Sequence, residues 1–237
     1  MLHGPQREQV ELTFSIPSIC AQRVEQKLVD IGLVPVAEIA RQRLEVVPGV
    51  GIAADGPVRS ILLFSRTPWR HIRTLAVDLS SRTSVELARV ILRERFGIQP
   101  EIRSEPPDLS RMLDTADAAL IIGDPALRIE PDEQPFEWLD LAAEWTSLTQ
   151  LPIVFAGWAG QPGIPVSALS DITIGSYRHG AEHLDEIIAC EAAARGLSPA
   201  LAAQYLREHI KFEIGARELR GLETFCDLAG LNVCPAI

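Results

Sequence analysis

No run in this chain stays apolar for the roughly 18–20 residues that a membrane-spanning helix requires, so no membrane partner is expected. The opening, MLHGPQREQVEL, lacks the apolar stretch of a secretory signal, and its absence points to a cytoplasmic protein. Basic charge is also short. With 22 Lys and Arg against 32 Asp and Glu, the net charge is −10, which argues against a nucleic-acid partner, since such proteins present a basic face. Cysteine is scarce. Cys20, Cys190, Cys226 and Cys234 form no C-x-x-C pair, so reduced and mostly buried thiols are expected rather than a disulfide framework or a metal knuckle. Internal repeats and low-complexity tracts are missing as well. What is present is 237 residues, 47% of them hydrophobic, enough for a sizeable core in one large domain or two small lobes.

The pattern along the chain alternates strands with helices. VELTFSI (10–16) reads as a strand and CAQRVEQKLVDIG (20–32) as a helix closed by Gly32. GLVPV is a short strand and AEIARQ a short helix. VRSILLFSR (58–66) is β-rich and continuously apolar at its centre, and TLAVDLS (74–80) is another strand. From Ser81, the residues Val85, Ala88, Ile91, Leu92 and Phe96 keep helical spacing on one face until Gly97 stops the run. QPEIRS then reads as strand, DLSRMLDTA as helix and DAALIIGD as strand. PFEWLDLAAEWTSLT reads as a helix and LPIVFAGWA as a buried strand. After residue 166 the pattern turns helical, with Ser198–Pro199 as an N-cap followed by proline at the first helical position. Strands alternating with helices predict an α/β chain with mainly parallel sheets.

Two βα junctions carry polar residues where such sheets bind ligands, at the carboxyl ends of strands. The first, DLSSRTSVEL, places Ser80, Ser81, Thr83 and Ser84 around Arg82 at the mouth of a helix. One N-cap needs one hydroxyl. The others can serve as donors to an anion, which the free N–H groups and the helix dipole also attract, and Arg82 can add a charge-assisted bond to a carboxylate. The second, IIGDPAL, places Gly123 and Asp124 at a similar edge. Ordinary capping explains the first junction about as well as ligand binding does, and a tight turn explains the second better.

The segments DGPVRSILLFSR, LSSRTSVELARVILRERFGIQP, PPDLSRML, DAALIIGDPAL and DLAAEWTSLTQLPIVFAGWA, in this order, resemble the menaquinone-biosynthesis family of the futalosine route. The chain is more similar to its chorismate dehydratase branch than to its 1,4-dihydroxy-6-naphthoate synthase branch. The resemblance runs from about residue 10 to the C-terminus. It implies an α/β, two-lobed periplasmic-binding-protein-like fold with two hinge strands and a helical C-terminus, the ligand lying in the cleft. VRSILLFSR and LPIVFAGWA are the natural hinge strands. The lobes would then be 1–72 for the first, 73–154 for the second, and 155–237 for the return to the first with the C-terminal helices. Members of the family begin with a strand and a helix that carry a cleft Asn. That opening is expected to be missing here.

The resemblance implies loss of water from chorismate to give 3-[(1-carboxyvinyl)oxy]benzoate. Aromatisation of the ring drives that reaction, so neither a redox cofactor nor a metal is expected. The small-molecule partners implied are chorismate and related aromatic carboxylates. Ser60, in GPVRS, matches a cleft serine of the dehydratase branch and is the expected catalytic contact. Ser81, Arg82, Thr83, Ser84, Gly123 and Asp124 are the expected substrate-binding residues. No carboxylate or histidine in these motifs is an obvious general base; Asp124 is a candidate, although acidic residues at such edges usually serve turns, and the enolpyruvyl carboxylate of the substrate itself is an alternative. His179 and His183 share the i, i+4 spacing of metal ligands, but no third ligand is evident in the sequence, and a solvated or core-edge pair is expected. Two other readings compete: the dihydroxynaphthoate synthase, against which stands the lack of histidine in 128–151, and a non-catalytic carboxylate receptor, against which stands the lack of a signal peptide.

Overall fold

The computed structural model describes residues 4–78 and 82–231. Ser81 and Cys234 therefore lie outside the described residues. Two sheets organise the chain. The first has the strand order β1-β8-β2-β9, from β1 (Ile31–Pro35), β2 (Glu45–Ala54), β8 (Ile153–Gly160) and β9 (Lys211–Glu213). The second has the order β5-β4-β6-β3-β7, from β3 (Ile61–Ser65), β4 (Thr74–Val77), β5 (Glu101–Ser104), β6 (Ala118–Ile122) and β7 (Glu137–Asp140). The chain passes from the first sheet to the second through residues 55–60. It returns through α6 (Leu141–Thr149) and residues 150–152 into β8. The expected hinge strands meet these crossings only at their first residues, since β3 lies wholly in the second sheet and β8 wholly in the first. β3 is already paired with β6 and β7, so the outward crossing is complete by Ile61.

The sheets are not mainly parallel. Of seven strand pairings among the described residues, only β4 with β5 and β4 with β6 are parallel. The reason lies in the crossings. A strand that follows a crossover helix within one sheet runs parallel to its predecessor. β3 and β8 instead arrive from the opposite sheet, and each runs against its neighbours.

The local chemistry explains most boundaries. Asp108 caps α4 (Leu109–Thr115) by accepting from Arg111 N, and Asp140 caps α6 by accepting from Ala142 N and Ala143 N. Ser198 caps α9 (Pro199–Gln204) by accepting from Leu201 N, with Pro199 at the first helical position as the sequence predicts. α3 (Arg82–Ile91) buries Val85, Leu87, Ala88, Val90 and Ile91, and it runs on through a π-helical turn to Gly97, whose φ of 71° ends it.

Four segments differ from their sequence reading. Residues 10–16 form no strand, and Phe14 and Ile16 are exposed. The first helix, α1, spans Pro17–Glu25 and stops short of Gly32 because Lys27 already has a left-handed φ of 57°. PFEWLDLAAEWTSLT divides into β7 and α6 at Asp140, since the capping side chain of that residue starts a helix rather than continuing one. β2 is absent from the sequence reading, as Pro48, Gly49 and Gly51 interrupt its pattern, and its pairing with β8 bulges between Val47 and Gly51. The C-terminal third is helical, with α7 (Val166–Glu182), α8 (Leu184–Glu191), α9 and α10 (Ala216–Ala229), but it also returns β9 to the first sheet.

A single large core joins the two sheets. Val34, Val46 and Val154 of the first sheet belong to the same buried cluster as Leu63, Leu75 and Leu120 of the second. Trp145 of α6 and Phe225 of α10 meet edge to face at 5.9 Å within it. No helix among the described residues is long and apolar enough to cross a membrane. Cys20, Cys190 and Cys226 are free thiols, of which Cys190 is exposed and Cys226 buried.

Candidate active site

Ser60 ends the outward crossing, one residue before β3, and its side chain is almost wholly enclosed at 5% exposure. What fixes it is the residue before. Arg59 holds a left-handed φ of 65°, a strained conformation for a side-chain-bearing residue. The carboxylate of Asp140 secures it: Oδ2 accepts from Val58 N at 2.9 Å and from Arg59 N at 2.7 Å, while Oδ1 caps α6. The Arg59 guanidinium reaches Ile129 O at 3.3 Å. Burial pushes the Asp140 carboxyl up, against four backbone N–H bonds that favour its charged form. One side chain thus ties the start of α6 to the turn that aims Ser60.

Two groups bond to Ser60. Gly123 N donates to Ser60 O at 2.8 Å, which brings the IIGDPAL junction alongside. Gly123 has a φ of 65°, a conformation open to glycine, and it begins α5 (Gly123–Leu127). Tyr205, from the turn after α9, donates its phenol hydroxyl to Ser60 Oγ at 3.1 Å. Burial pushes the Tyr205 phenol above its ordinary value, the bond to Ser60 opposes this, and the neighbouring charge of Asp124 adds to it. Tyr205 is therefore a neutral donor across the physiological range. Asp124 in turn takes a long contact from Arg195 Nη1 at 3.4 Å. Ser60, Gly123 and Asp124, read from two separate motifs, are thus brought together around Tyr205.

The other expected residues form a second cluster, at the start of α3. Thr83 and Ser84 are enclosed, at 0% and 2% exposure. Thr83 Oγ1 accepts from Ala37 N at 3.3 Å, satisfying one of the free N–H groups at the start of α2 (Val36–Gln42). Arg82 donates to Glu38 Oε1 at 3.1 Å, and the same buried carboxylate binds Arg41 and Gln42. α2 follows a strand of the first sheet and α3 a strand of the second. The hydroxyl-rich junction therefore meets α2 through Thr83 and Arg82. A hollow of about 510 Å³ opens beside α5, lined by Pro107, Leu109, Pro125, Arg128, Ile129 and Phe136, and includes none of the expected residues.

Sequence reasoning missed Tyr205, Arg195 and Asp140. Tyr205 and Arg195 lie in an unremarkable helical stretch, and no motif of their own marks them. Asp140 carried a legible signal, an Asp followed by Leu-Ala-Ala-Glu, which is N-cap chemistry.

Known proteins place this geometry in context. A family model described as menaquinone biosynthesis matches residues 1–230. A chorismate dehydratase from Thermus thermophilus is 30% identical over 208 residues, covering 81% of this chain and 76% of that protein. Among solved structures, protein AF1704 from Archaeoglobus fulgidus superposes with a TM-score of 0.69 at 16% identity, over 93% of this chain and 86% of that one. The periplasmic aliphatic sulphonate binding protein SsuA from Escherichia coli gives a TM-score of 0.59 at 15% identity, over 92% and 74%. The last two show the fold alone, a periplasmic-binding-protein-like arrangement. With the family model spanning nearly the whole chain, the protein belongs to the menaquinone biosynthesis family.

Proposed function

We propose that this protein is a chorismate dehydratase, a carbon–oxygen lyase that converts chorismate to 3-[(1-carboxyvinyl)oxy]benzoate and water. The observation that carries the reading is the Ser60 cluster. A serine that matches the dehydratase branch is buried, aimed by a strained turn and flanked by a neutral tyrosine. The likeness to a dehydratase at 30% identity supports the same reading.

The chemistry asks little of the protein beyond positioning. A ring C–H and a ring C–OH bond break, water leaves, and aromaticity is gained. Because Ser60 Oγ accepts from Tyr205, its own proton is free to point toward a substrate oxygen, the leaving hydroxyl or a carboxylate. Placed donors of this kind stabilise developing charge without reorganising. The ring proton goes to the enolpyruvyl carboxylate of the substrate, folded over the ring, and that carboxyl passes it on through the Ser60 hydroxyl to the departing hydroxyl, so that water leaves and both the carboxylate and Ser60 end as they began. We assign Ser60 the catalytic contact. Gly123, Asp124 and the α3 junction with Ser81, Arg82, Thr83 and Ser84 are assigned to binding.

The test is a chorismate-consumption assay with product identification by mass. Ser60→Ala should lower kcat by on the order of a hundredfold while KM moves little, as loss of one placed donor does. Unchanged turnover by Ser60→Ala would remove Ser60 from the mechanism. Absence of the benzoate product from the unaltered protein would overturn the dehydratase reading itself.

A further inference from the structure

The HGAEH stretch closes α7 with an arrangement that the reaction above does not use. His179, Glu182 and His183 each turn a ligand atom toward one place, and these atoms all lie within 4.8 Å of one another. The two imidazoles overlap with ring centroids 4.2 Å apart. The third ligand that the sequence left unidentified is thus Glu182, adjacent to His183 in the chain.

Three features separate this cluster from an ordinary surface pair. The first is the tautomer. His183 Nδ1 lies 2.8 Å from His179 O, and a carbonyl oxygen can only accept. Nδ1 therefore carries the proton, and the Nε2 lone pair is left free for a metal. Metal-ligating histidines usually donate their other ring N–H to a carbonyl in this way. The second is position. α7 ends at Glu182 and α8 begins at Leu184, so the three side chains stand where two helices join, with His183 capping both. The third is the wall. A methyl group added at Gly4 would lie 2.8 Å from His179 Cδ2 and 3.0 Å from Gln6 Oε1, so Gln6 and His179 meet across a glycine that leaves room for nothing else. Gln6 Oε1 is buried and has no hydrogen-bond partner. An unsatisfied carbonyl oxygen therefore packs on the same glycine as the imidazole.

We propose that His179, Glu182 and His183 form a binding site for a divalent transition ion of the zinc class. Two imidazoles and one carboxylate make a donor set suited to Zn²⁺, Co²⁺, Ni²⁺ or Cu²⁺, not to Mg²⁺ or Ca²⁺, which take oxygen ligands. The role assigned is structural. The site lies at the α7–α8 junction. An ion there fixes the start of the segment that runs through α8 and α9 to Arg195 and Tyr205.

The experiment uses the full chain, stripped with chelator and titrated with Zn²⁺ by calorimetry, and with Co²⁺ followed by its visible d–d absorption. One equivalent of Zn²⁺ should bind, Co²⁺ should give the intense bands of a site with fewer than six ligands, and Zn²⁺ should raise Tm. His179→Ala and His183→Ala should each weaken Zn²⁺ binding at least about tenfold. Circular dichroism checks that these variants fold. Glu182→Gln, at an exposed position, should fold as the parent does and lose the Zn²⁺-dependent rise in Tm. His71→Ala, in a separate turn, should bind as the parent does. The proposal is overturned if the parent takes up no Zn²⁺, or if folded His179→Ala or His183→Ala binds it as tightly as the parent.

Discussion

Tyr205 and Ser60 meet across 145 positions of sequence, and that single contact tells what each is for. Tyr205 is half-buried and uncharged, so it serves as a donor rather than as an acid whose charge matters. Tyr205→Phe keeps the ring and removes only the bond. A hydrogen bond of about 1 kcal/mol corresponds to roughly fivefold in rate. The expected outcome is therefore a roughly fivefold fall in kcat, with KM nearly unmoved, in steady-state kinetics on chorismate. An equal rise in KM with kcat intact would show that Tyr205 binds substrate rather than orienting Ser60. Asp117 gives a prediction of a different sort. Its Oδ2 accepts from Arg73 N, Thr74 N and Thr74 Oγ1. The bond from Arg73 N, followed by those from Thr74, holds its pKa below the ordinary value of about 3.9. The sign follows from linkage: a lowered folded pKa contributes stability that is present above the unfolded value and lost as pH falls through the folded one. Asp117→Asn should therefore flatten the acid limb of a Tm-against-pH curve below about pH 4, while the parent falls there. Parallel curves for the two proteins would remove the carboxylate from the acid sensitivity.

Helix α10 illustrates how an element is positioned by what one residue lacks. Gly221 sits in the middle of it, where alanine ordinarily gains up to about 1 kcal/mol. Yet a Cβ at Gly221 would lie 2.0 Å from Pro152 O, the carbonyl that also accepts from Trp145 Nε1 at 3.0 Å. Helix and strand β8 approach too closely there for a methyl group. Gly221→Ala is expected to destabilise the protein by about 1–3 kcal/mol, the cost of overpacking. Gly180→Ala, in α7 with nothing nearer than 3.9 Å, should stabilise by up to about 1 kcal/mol. Chemical denaturation of both variants reads the contrast, and two shifts of the same sign would refute the packing argument. The elements themselves were largely legible, because β3, β4, β6 and β8 are continuous apolar runs and α3 keeps its spacing. β2 was not, since Pro48, Gly49 and Gly51 erase alternation in a strand held by its neighbours. Ser60 stood out only through the family resemblance and Gly123 with Asp124 only as a βα junction; that Gly123 N would bond to Ser60 O was not legible, because the contact joins segments about sixty residues apart. The roles of Thr83 and Arg82 were legible only by halves. The sequence shows a hydroxyl and a cation at a helix start, but not that α2 would lie there to take them.

Between the two sheets, α2 and α3 form a clasp. Thr83 accepts from Ala37 N, Arg82 binds Glu38, and Arg41 lies 3.5 Å from Glu86. Glu38 is buried, whereas Arg82 and Arg41 are about half exposed, so solvent screens each pair. A double-mutant cycle of Glu38→Gln with Arg82→Gln should give a coupling of about 0.5–1 kcal/mol, read by urea denaturation. Zero coupling would mean that the clasp rests on the Thr83 contact and apolar packing alone. The clasp, the shared core and the two crossings make the halves interdependent, but not equally so. β8 lies between β1 and β2, which do not pair with each other. During synthesis, residues 31–54 therefore leave the ribosome as strands whose common partner does not yet exist. The second sheet, spanning 61–140 without interruption, can close first. Only when residue 160 has emerged does the first sheet acquire its middle, so β1 and β2, made before the second sheet, find their places after it.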